Sequence, residues 1–315
     1  MRILITGASG LLGLNLALEA ARHHKVYGTV YRHSLRTKAF HVIQADLRLP
    51  GAVERAFDEA QPDWVIHCAA LTSIDKCEAD PALARKLNTE LAAKIATYVA
   101  KGGARLLHIS TDAVFDGQRG DYREEDPPNP LSVYARTKLE GERAVLDANP
   151  QAIIARVNLF GWSASGQRSL SEFFFYNLQN GKRVMGFTDV FFCPLLANDL
   201  AQVLLAMLQR ELSGLYHVVS QECLSKYAFG VALAHQFGLE ASLIDPTSVR
   251  ESGLVAVRSP RLTLRTDKLR QALGEPLPNW RQGLEKLFDL YQQGYPQMLK
   301  EMSSYGTEDR QSLGG

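Results

Sequence analysis

The sequence predicts an α/β fold: a doubly wound parallel sheet with a smaller, partly interleaved C-terminal lobe. Three observations predict it. Short apolar runs alternate with helical stretches through the first half of the chain, the first run leads straight into a glycine-rich turn, and the alternation stops near Gly161. Apolar runs alternating with amphipathic stretches fit parallel strands joined by helices, because each crossover helix covers one face of the sheet. Right-handed crossovers then place helices on both faces.

Taken in order, residues 2–6 read as a buried strand and 11–22 as a helix. Residues 25–31, 41–44 and 64–68 read as the second, third and fourth strands. A long amphipathic helix follows at 81–101, then a fifth strand at 105–110, a helix at 131–148 and a sixth strand at 152–157. The stretch 161–166 is small and polar and is expected to be a mobile loop. Beyond it come an aromatic-rich stretch at 170–178 containing Phe173, Phe174, Phe175 and Tyr176, a helix near 199–210, a strand at 215–219, and helices near 225–237 and 279–291. The expected division is a dinucleotide-binding domain over 1–160, a mainly substrate-binding lobe over 161–302 with some elements returning to the first domain, and a flexible polar tail over 303–315.

Composition narrows the function classes. The chain has 315 residues, 46% hydrophobic and 22% charged, with a formal net charge of +1. That is ordinary usage for a globular protein and lacks the basic stripe of a nucleic-acid binder. No apolar run reaches the ~20 residues that span a bilayer, so no membrane partner is expected. Met1 enters a strand at once, with no basic and apolar leader. The four cysteines, Cys68, Cys77, Cys193 and Cys223, form no CxxC pair, and no HExxH occurs. No metal site and no disulfide framework are expected, and the cytoplasm is the expected compartment.

The first chemistry-bearing motif is Gly7-Ala8-Ser9-Gly10-Leu11-Leu12-Gly13, placed between the first strand and the first helix. Such a turn needs glycine where φ is positive and where a pyrophosphate approaches the backbone. The helix start then offers the N–H groups of Leu11 and Leu12 and a positive dipole end to the anion. At the end of the second strand, an NAD site usually carries an acid for the ribose 2′-hydroxyl. Here the chain reads Tyr31-Arg32-His33-Ser34, with Arg36 and Lys38 beyond. A planar guanidinium suits a 2′-phosphate, so Arg32 is the candidate contact and NADP(H) the preferred cofactor, with NAD(H) as the other the turn would admit. The alternative for these residues is a basic, solvated loop. Small residues at Cys68-Ala69-Ala70 would let a cofactor lie flat on the strand ends, while His67 reads as a packed strand residue.

The fifth strand ends in Ser110-Thr111-Asp112-Ala113-Val114-Phe115, and about two dozen residues later comes Tyr134-Ala135-Arg136-Thr137-Lys138. Tyrosine and lysine four apart share one helix face. A free phenol has a pKa of about 10, and an ammonium on the same face together with a cationic nicotinamide ring would favour the phenolate and lower that value. Tyr134 could then exchange a proton while a cofactor exchanges a hydride, with a hydroxyl from Ser110 or Thr111 bonding the same substrate oxygen.

The Gly-x-x-Gly-x-x-Gly spacing, joined to Ser-Thr and Tyr-x-x-x-Lys, resembles the extended short-chain dehydrogenase/reductases, which are built on a Rossmann sheet. The resemblance covers nearly the whole chain. It implies that Thr111, three before Val114, is the catalytic hydroxyl, that Asp46-Leu47 borders the adenine, and that Lys138 also reaches the nicotinamide ribose. Ser-Thr-Asp-x-Val-Phe, Ile74-Asp75-Lys76-Cys77-Glu78 and Leu264-Arg265-Thr266-Asp267-Lys268-Leu269 are similar to the dTDP-4-dehydrorhamnose reductases. Sugar-nucleotide dehydratases of the same superfamily carry Asp-Glu after the threonine. Here the pair is Asp112-Ala113, which speaks against dehydration. An epimerase, which holds its cofactor through a full cycle and usually takes NAD, fits the basic loop less well.

The resemblance therefore implies an NADPH-dependent reductase of a keto-sugar nucleotide. On the substrate side it departs from the family, with Arg258-Ser259-Pro260-Arg261 and Asn158-Leu159-Phe160-Gly161-Trp162 in place of the usual patterns. Thr72, Asn158, Trp162, Arg258 and Arg261 are the substrate-side candidates. The arginines would pair with a diphosphate and Trp162 would stack on a base or sugar, but the same residues read equally well as surface ion pairs and a packing aromatic. The family also includes the regulatory subunit of methionine adenosyltransferase, so an NADP-binding subunit without catalysis is the alternative, with residues 173–176 as its partner surface. The oligomeric state stays open, a homodimer included.

Overall fold

A computed structural model describes residues 1–251 and 259–303. Seven parallel strands form the central sheet. Six come from the first half: β1 (Arg2–Thr6), β2 (Lys25–Val30), β3 (His41–Gln44), β4 (Trp64–His67), β5 (Arg105–Thr111) and β6 (Ile153–Val157). The seventh, Gly214–Val218, comes from the second half and pairs with β6. The spatial order is Gly214–Val218, β6, β5, β4, β1, β2, β3. Strand order therefore reverses between β1 and β4, which is where open sheets of this kind form their binding crevice. Ile3, Leu4 and Ile5 are wholly buried, as a run covered on both faces requires.

The helix Leu11–Ala20 is apolar on nearly every side, because it lies between the sheet and the helix Ala197–Gln209 from the second half. Polar side chains register the two halves. Asn198 donates to Glu19 Oε1 at 3.0 Å, and the Tyr295 hydroxyl donates to Asn15 Oδ1 at 2.8 Å. The long helix expected at 81–101 spans Pro81–Arg85 and Leu91–Gly102, joined by a π turn at Lys86–Glu90. Asn88 in that turn donates to Leu71 O and to the Thr137 hydroxyl, tying the loop after β4 to the helix Val133–Ala148. Small sheets built mainly from the second half flank the crevice, among them a three-stranded one of Leu224–Ser225, Phe191–Phe192 and Arg261–Leu262.

Three expectations need correction. The stretch 161–166 is not a loose polar loop. Trp162, Ser163 and Ala164 are buried, the Ser163 N–H donates to Glu172 Oε1 at 2.6 Å, and the Ser169 hydroxyl donates to Gly161 O at 2.7 Å. Glu172 also closes the capping box of the helix Leu170–Gln179, so one carboxylate satisfies both a helix start and the turn before it. The chain also has a disulfide, Cys193–Cys223. It lies beside Val114, Phe115 and Tyr122, and it removes the cysteine argument for a reducing compartment. Reducing this bond, which closes a separation of 30 residues, should lower stability by about 2–4 kcal/mol in urea unfolding with and without reductant. An unchanged midpoint would mean the bond does not form in solution.

The third correction concerns the tail. Ser303 pairs with Leu35 in an antiparallel bridge, and the Arg36 N–H donates to Met302 O at 2.6 Å. The end of the helix Tyr295–Met302 is thus clasped to the loop that follows β2. Residues 304–315 of the expected tail lie outside the described residues. Among the described residues, no helix is long and apolar enough to cross a membrane, and no group of three or more His, Cys, Asp or Glu side chains could hold a metal.

Candidate active site

The crevice begins at the glycine turn. Gly7 has φ +70°, and a Cβ there would meet Ala69 Cα at 2.8 Å. A Cβ on Gly13 would stand 2.2 Å from Gly7 O, so the helix can pack this close to the turn only without a side chain. Gly10 starts the helix Leu11–Ala20, no side chain caps it, and no acid lies in its first turn. The N–H groups at Leu11 and Leu12 therefore keep their donor capacity for an anion. Cys68, Ala69 and Ala70 lie across from Gly7 at the end of β4, half-buried. This turn, packed too closely for a Cβ at Gly7 or Gly13 and leading into a helix start with no side-chain cap and no acid in its first turn, fits the pyrophosphate of a dinucleotide.

At the far side of the crevice, the ends of β2 and β3 carry charge. Arg32 is exposed, with its guanidinium 5.6 Å from the Tyr31 ring centre. Leu47 is buried, and Asp46 is paired with Arg48, which sequence reasoning missed. Arg48 donates through Nε to Asp46 Oδ1 at 2.8 Å and through Nη2 to Asp46 Oδ2 at 2.6 Å and the Tyr31 hydroxyl at 2.5 Å. The bonds from Arg48 hold the Asp46 carboxyl below its ordinary pKa. The one acid at this end of the sheet is thus neutralised as an ion pair, and Arg32 and Lys38 leave the rim basic. The signal was present as Asp46-Leu47-Arg48, a pair two residues apart in a turn.

Thr111, Tyr134 and Lys138 come together at the end of β5. Ser132 caps the helix Val133–Ala148, accepting the Ala135 N–H, which sets Tyr134 and Lys138 one turn apart on the face toward β5. The Thr111 hydroxyl lies beside the Tyr134 phenol, close enough to hold its pKa down against burial. Ser110 faces the other way and donates to Glu142 Oε1 at 2.5 Å, which leaves Thr111 as the hydroxyl beside the phenol. Lys138 is almost fully buried; its ammonium donates to Ile109 O at 2.6 Å and to His108 Nε2 at 3.3 Å. His108 stacks on His67 at 5.2 Å, and burial drives both imidazoles to the neutral form, which lets His108 accept from the lysine.

Together the protein's own groups act on the phenol in the opposite direction to the lowering expected from the ammonium and a nicotinamide ring. Burial pushes Tyr134 up to about 12, the Asp112 charge adds to the rise, and the Thr111 hydroxyl opposes it. The Lys138 ammonium is bonded to the β5 backbone and His108 rather than to the phenol. Burial lowers Lys138 to about 8, against the pull of Glu142 one turn further along the helix.

On the substrate side, Asn158 reaches the site, donating through Nδ2 to Asp112 Oδ2 at 2.6 Å. Thr72 is exposed in the loop after β4. Arg261 is exposed on the three-stranded sheet, 5.7 Å from the Phe191 ring centre, with its N–H bonded to Gly117 O. Trp162 does not face the crevice: it is 1% exposed, packs edge-on against Phe175, and its indole N–H donates to Leu287 O at 3.0 Å. The stacking role expected for it is corrected to core packing. Arg258 lies outside the described residues. Two open grooves of about 540 and 620 Å³ lie elsewhere, lined by Gln221 and Pro276 with residues such as Lys286 and Arg270, and no catalytic candidate borders them.

The chain is similar to known proteins. Residues 1–293 match the family model described as the RmlD substrate binding domain. The chain is 33% identical over 294 residues to a probable low-salt glycan biosynthesis reductase of Haloferax volcanii, covering 91% of this chain and 97% of that protein. It is 36% identical over 269 residues to methionine adenosyltransferase 2 subunit beta of Bos taurus, covering 82% of this chain and 78% of that protein. Among solved structures, a dTDP-4-dehydrorhamnose reductase of Bacillus anthracis in complex with NADP superposes with a TM-score of 0.79 at 26% identity, covering 91% of this chain and 98% of that one. With 293 residues matched from the first glycine turn to the last long helix, the chain belongs to the RmlD substrate binding domain family.

Proposed function

We propose that the protein is an NADPH-dependent reductase of a keto-sugar nucleotide. The observation that carries this reading is the placement of the Thr111 hydroxyl against the Tyr134 phenol at the strand ends that face the glycine cradle. NADPH, when bound, supplies the hydride. The turn at Gly7, Gly10 and Gly13 would hold its pyrophosphate, with Arg32 toward the 2′-phosphate and Asp46-Leu47 toward the adenine. Tyr134 holds the proton for the substrate carbonyl oxygen. A phenol raised to about 12 arrives protonated at neutral pH, which suits a proton donor in the reducing direction. The Thr111 hydroxyl orients the same oxygen, and Lys138 supplies positive charge beneath it. Nothing in this reading selects among keto sugars. The experiment is NADPH oxidation with a panel of keto-sugar nucleotides, and no turnover with any of them would count against it.

The bovine relative supports a second reading, an NADP-binding subunit of a larger enzyme. The aromatic surface invoked for that role is reduced by burial: Phe174 and Phe175 lie in the core, and Phe173 is the exposed ring. Co-migration of the purified chain with an unrelated enzyme would favour this reading over catalysis.

Cofactor choice gives a separate test. Wild type should bind NADPH more tightly than NADH, and Arg32→Ala should narrow the gap by about tenfold, the size of one charge-assisted contact. A titration in which wild type prefers NADH would overturn the assignment of this rim.

A further inference from the structure

We propose that Asp112 is a positioning residue for this reaction: its carboxyl group sets the direction of the Thr111 hydroxyl, and only the neutral carboxyl leaves that hydroxyl free to donate to the substrate oxygen. The inference rests on the roles proposed above for Thr111 and Tyr134.

A hydroxyl has one proton and two lone pairs. Thr111 Oγ1 stands 3.1 Å from Asp112 Oδ1, accepts the Ala113 N–H at 3.2 Å, and lies beside the Tyr134 phenol. A carboxylate only accepts. Ionised Asp112 therefore takes the Thr111 proton. The threonine oxygen then presents a lone pair to the crevice, where it accepts from Tyr134. A substrate carbonyl arriving there meets one oxygen with no proton to give and a phenol whose proton is already engaged.

Protonated Asp112 reverses the arrangement. Asn158 donates to Oδ2 at 2.6 Å, so the carboxyl proton belongs on Oδ1, the oxygen that faces Thr111. Thr111 Oγ1 then accepts from Asp112 and from the Ala113 N–H, which fills both lone pairs. Its own proton is released toward the crevice, and Tyr134 can no longer donate to it. Both protons now point at the position of the carbonyl oxygen.

The surroundings make both forms accessible. Asp112 is 4% exposed, and burial raises its pKa to about 6. The bonds from Asn158 after β6 and from Thr111 at the end of β5, the positive charge of Lys226 at the start of the helix Lys226–Phe237, and the Ala113 N–H oppose that rise. From the helix Val133–Ala148 the titratable group facing Asp112 is Tyr134, which stays neutral throughout this range.

The test compares kcat/KM against pH for wild type, Asp112→Asn and Asp112→Leu with an accepted keto-sugar nucleotide. Wild type should fall about tenfold per pH unit above about 6, as the carboxyl ionises. Asparagine can donate to Thr111 at every pH, so the limb near 6 should disappear in Asp112→Asn. Leucine cannot donate, so Asp112→Leu should lower kcat at every pH, with little change in KM. A flat wild-type profile, or an Asp112→Asn profile that keeps the same limb, would overturn the proposal.

An infrared titration of the Asp112 carboxyl in wild type and Thr111→Val needs no turnover. The midpoint should rise when the threonine donor is removed. An unchanged midpoint overturns the proposal by itself. A raised midpoint in a chain that reduces no keto-sugar nucleotide would sink the reductase reading while leaving the coupling between Asp112 and Thr111 intact.

Discussion

Tyr134→Phe should lower turnover by ~10²–10⁴-fold, the usual size of a general acid's contribution, while NADPH binding survives. Phenylalanine keeps the ring and its place on the helix Val133–Ala148 and removes only the hydroxyl beside Thr111. The glycine turn that would hold the pyrophosphate belongs to a different part of the chain, between β1 and the helix Leu11–Ala20. The measurement is single-turnover NADPH oxidation beside a cofactor titration for both proteins. Loss of turnover with intact binding places the phenol in the chemical step. Near-normal turnover would remove it from the mechanism and favour the subunit reading suggested by the bovine relative.

The second large effect is expected on stability. Glu142 and Arg156 form a buried ion pair, 2.7 Å between Glu142 Oε2 and Arg156 Nη2, with Nε 2.9 Å from Oε1. The Arg156 guanidinium also lies 5.0 Å from the Phe115 ring centre, and Ser110 donates to the same carboxylate. Glu142→Leu leaves the guanidinium buried without its counter-ion and Ser110 without its acceptor. The expected loss is about 3–5 kcal/mol in urea unfolding. Adding Arg156→Met should recover much of that loss, because the uncompensated charge, not the missing carboxylate, is the main penalty. A single variant within about 1 kcal/mol of wild type would show that water reaches this pair.

The strands and the catalytic face were legible because each is encoded locally. The first and third strands, Arg2–Thr6 and His41–Gln44, coincide with the runs expected from sequence, and the other strands of the central sheet differ by one residue at one or both ends. The spacing of Tyr134 and Lys138 fixes a shared helix face whatever else the chain does. What stayed hidden depends on partners far away in sequence. Trp162 looked like a ligand-stacking ring because the residues around it are small and polar. Its neighbours Phe175, Phe237 and Tyr291 arrive from three later segments. No spacing rule joins Cys193 to Cys223. The direction of the Lys138 side chain was unreadable too, because it is set by the Ile109 carbonyl and by His108, which sequence alone shows only as a strand residue. Asp112 was noticed for the Glu that does not follow it, while its bond to Asn158 spans 46 positions.

The clasp between Ser303 and Leu35 joins the end of the helix Tyr295–Met302 to the segment proposed to sense a 2′-phosphate. Two segments that hold one another share their fluctuations, so whatever quiets one quiets the other by the same free energy. The price of fraying that terminus would thus be felt at a ligand it never touches. One β-bridge and one backbone hydrogen bond would tie the packing of the helix Tyr295–Met302 to the proposed discrimination between two nearly identical nucleotides.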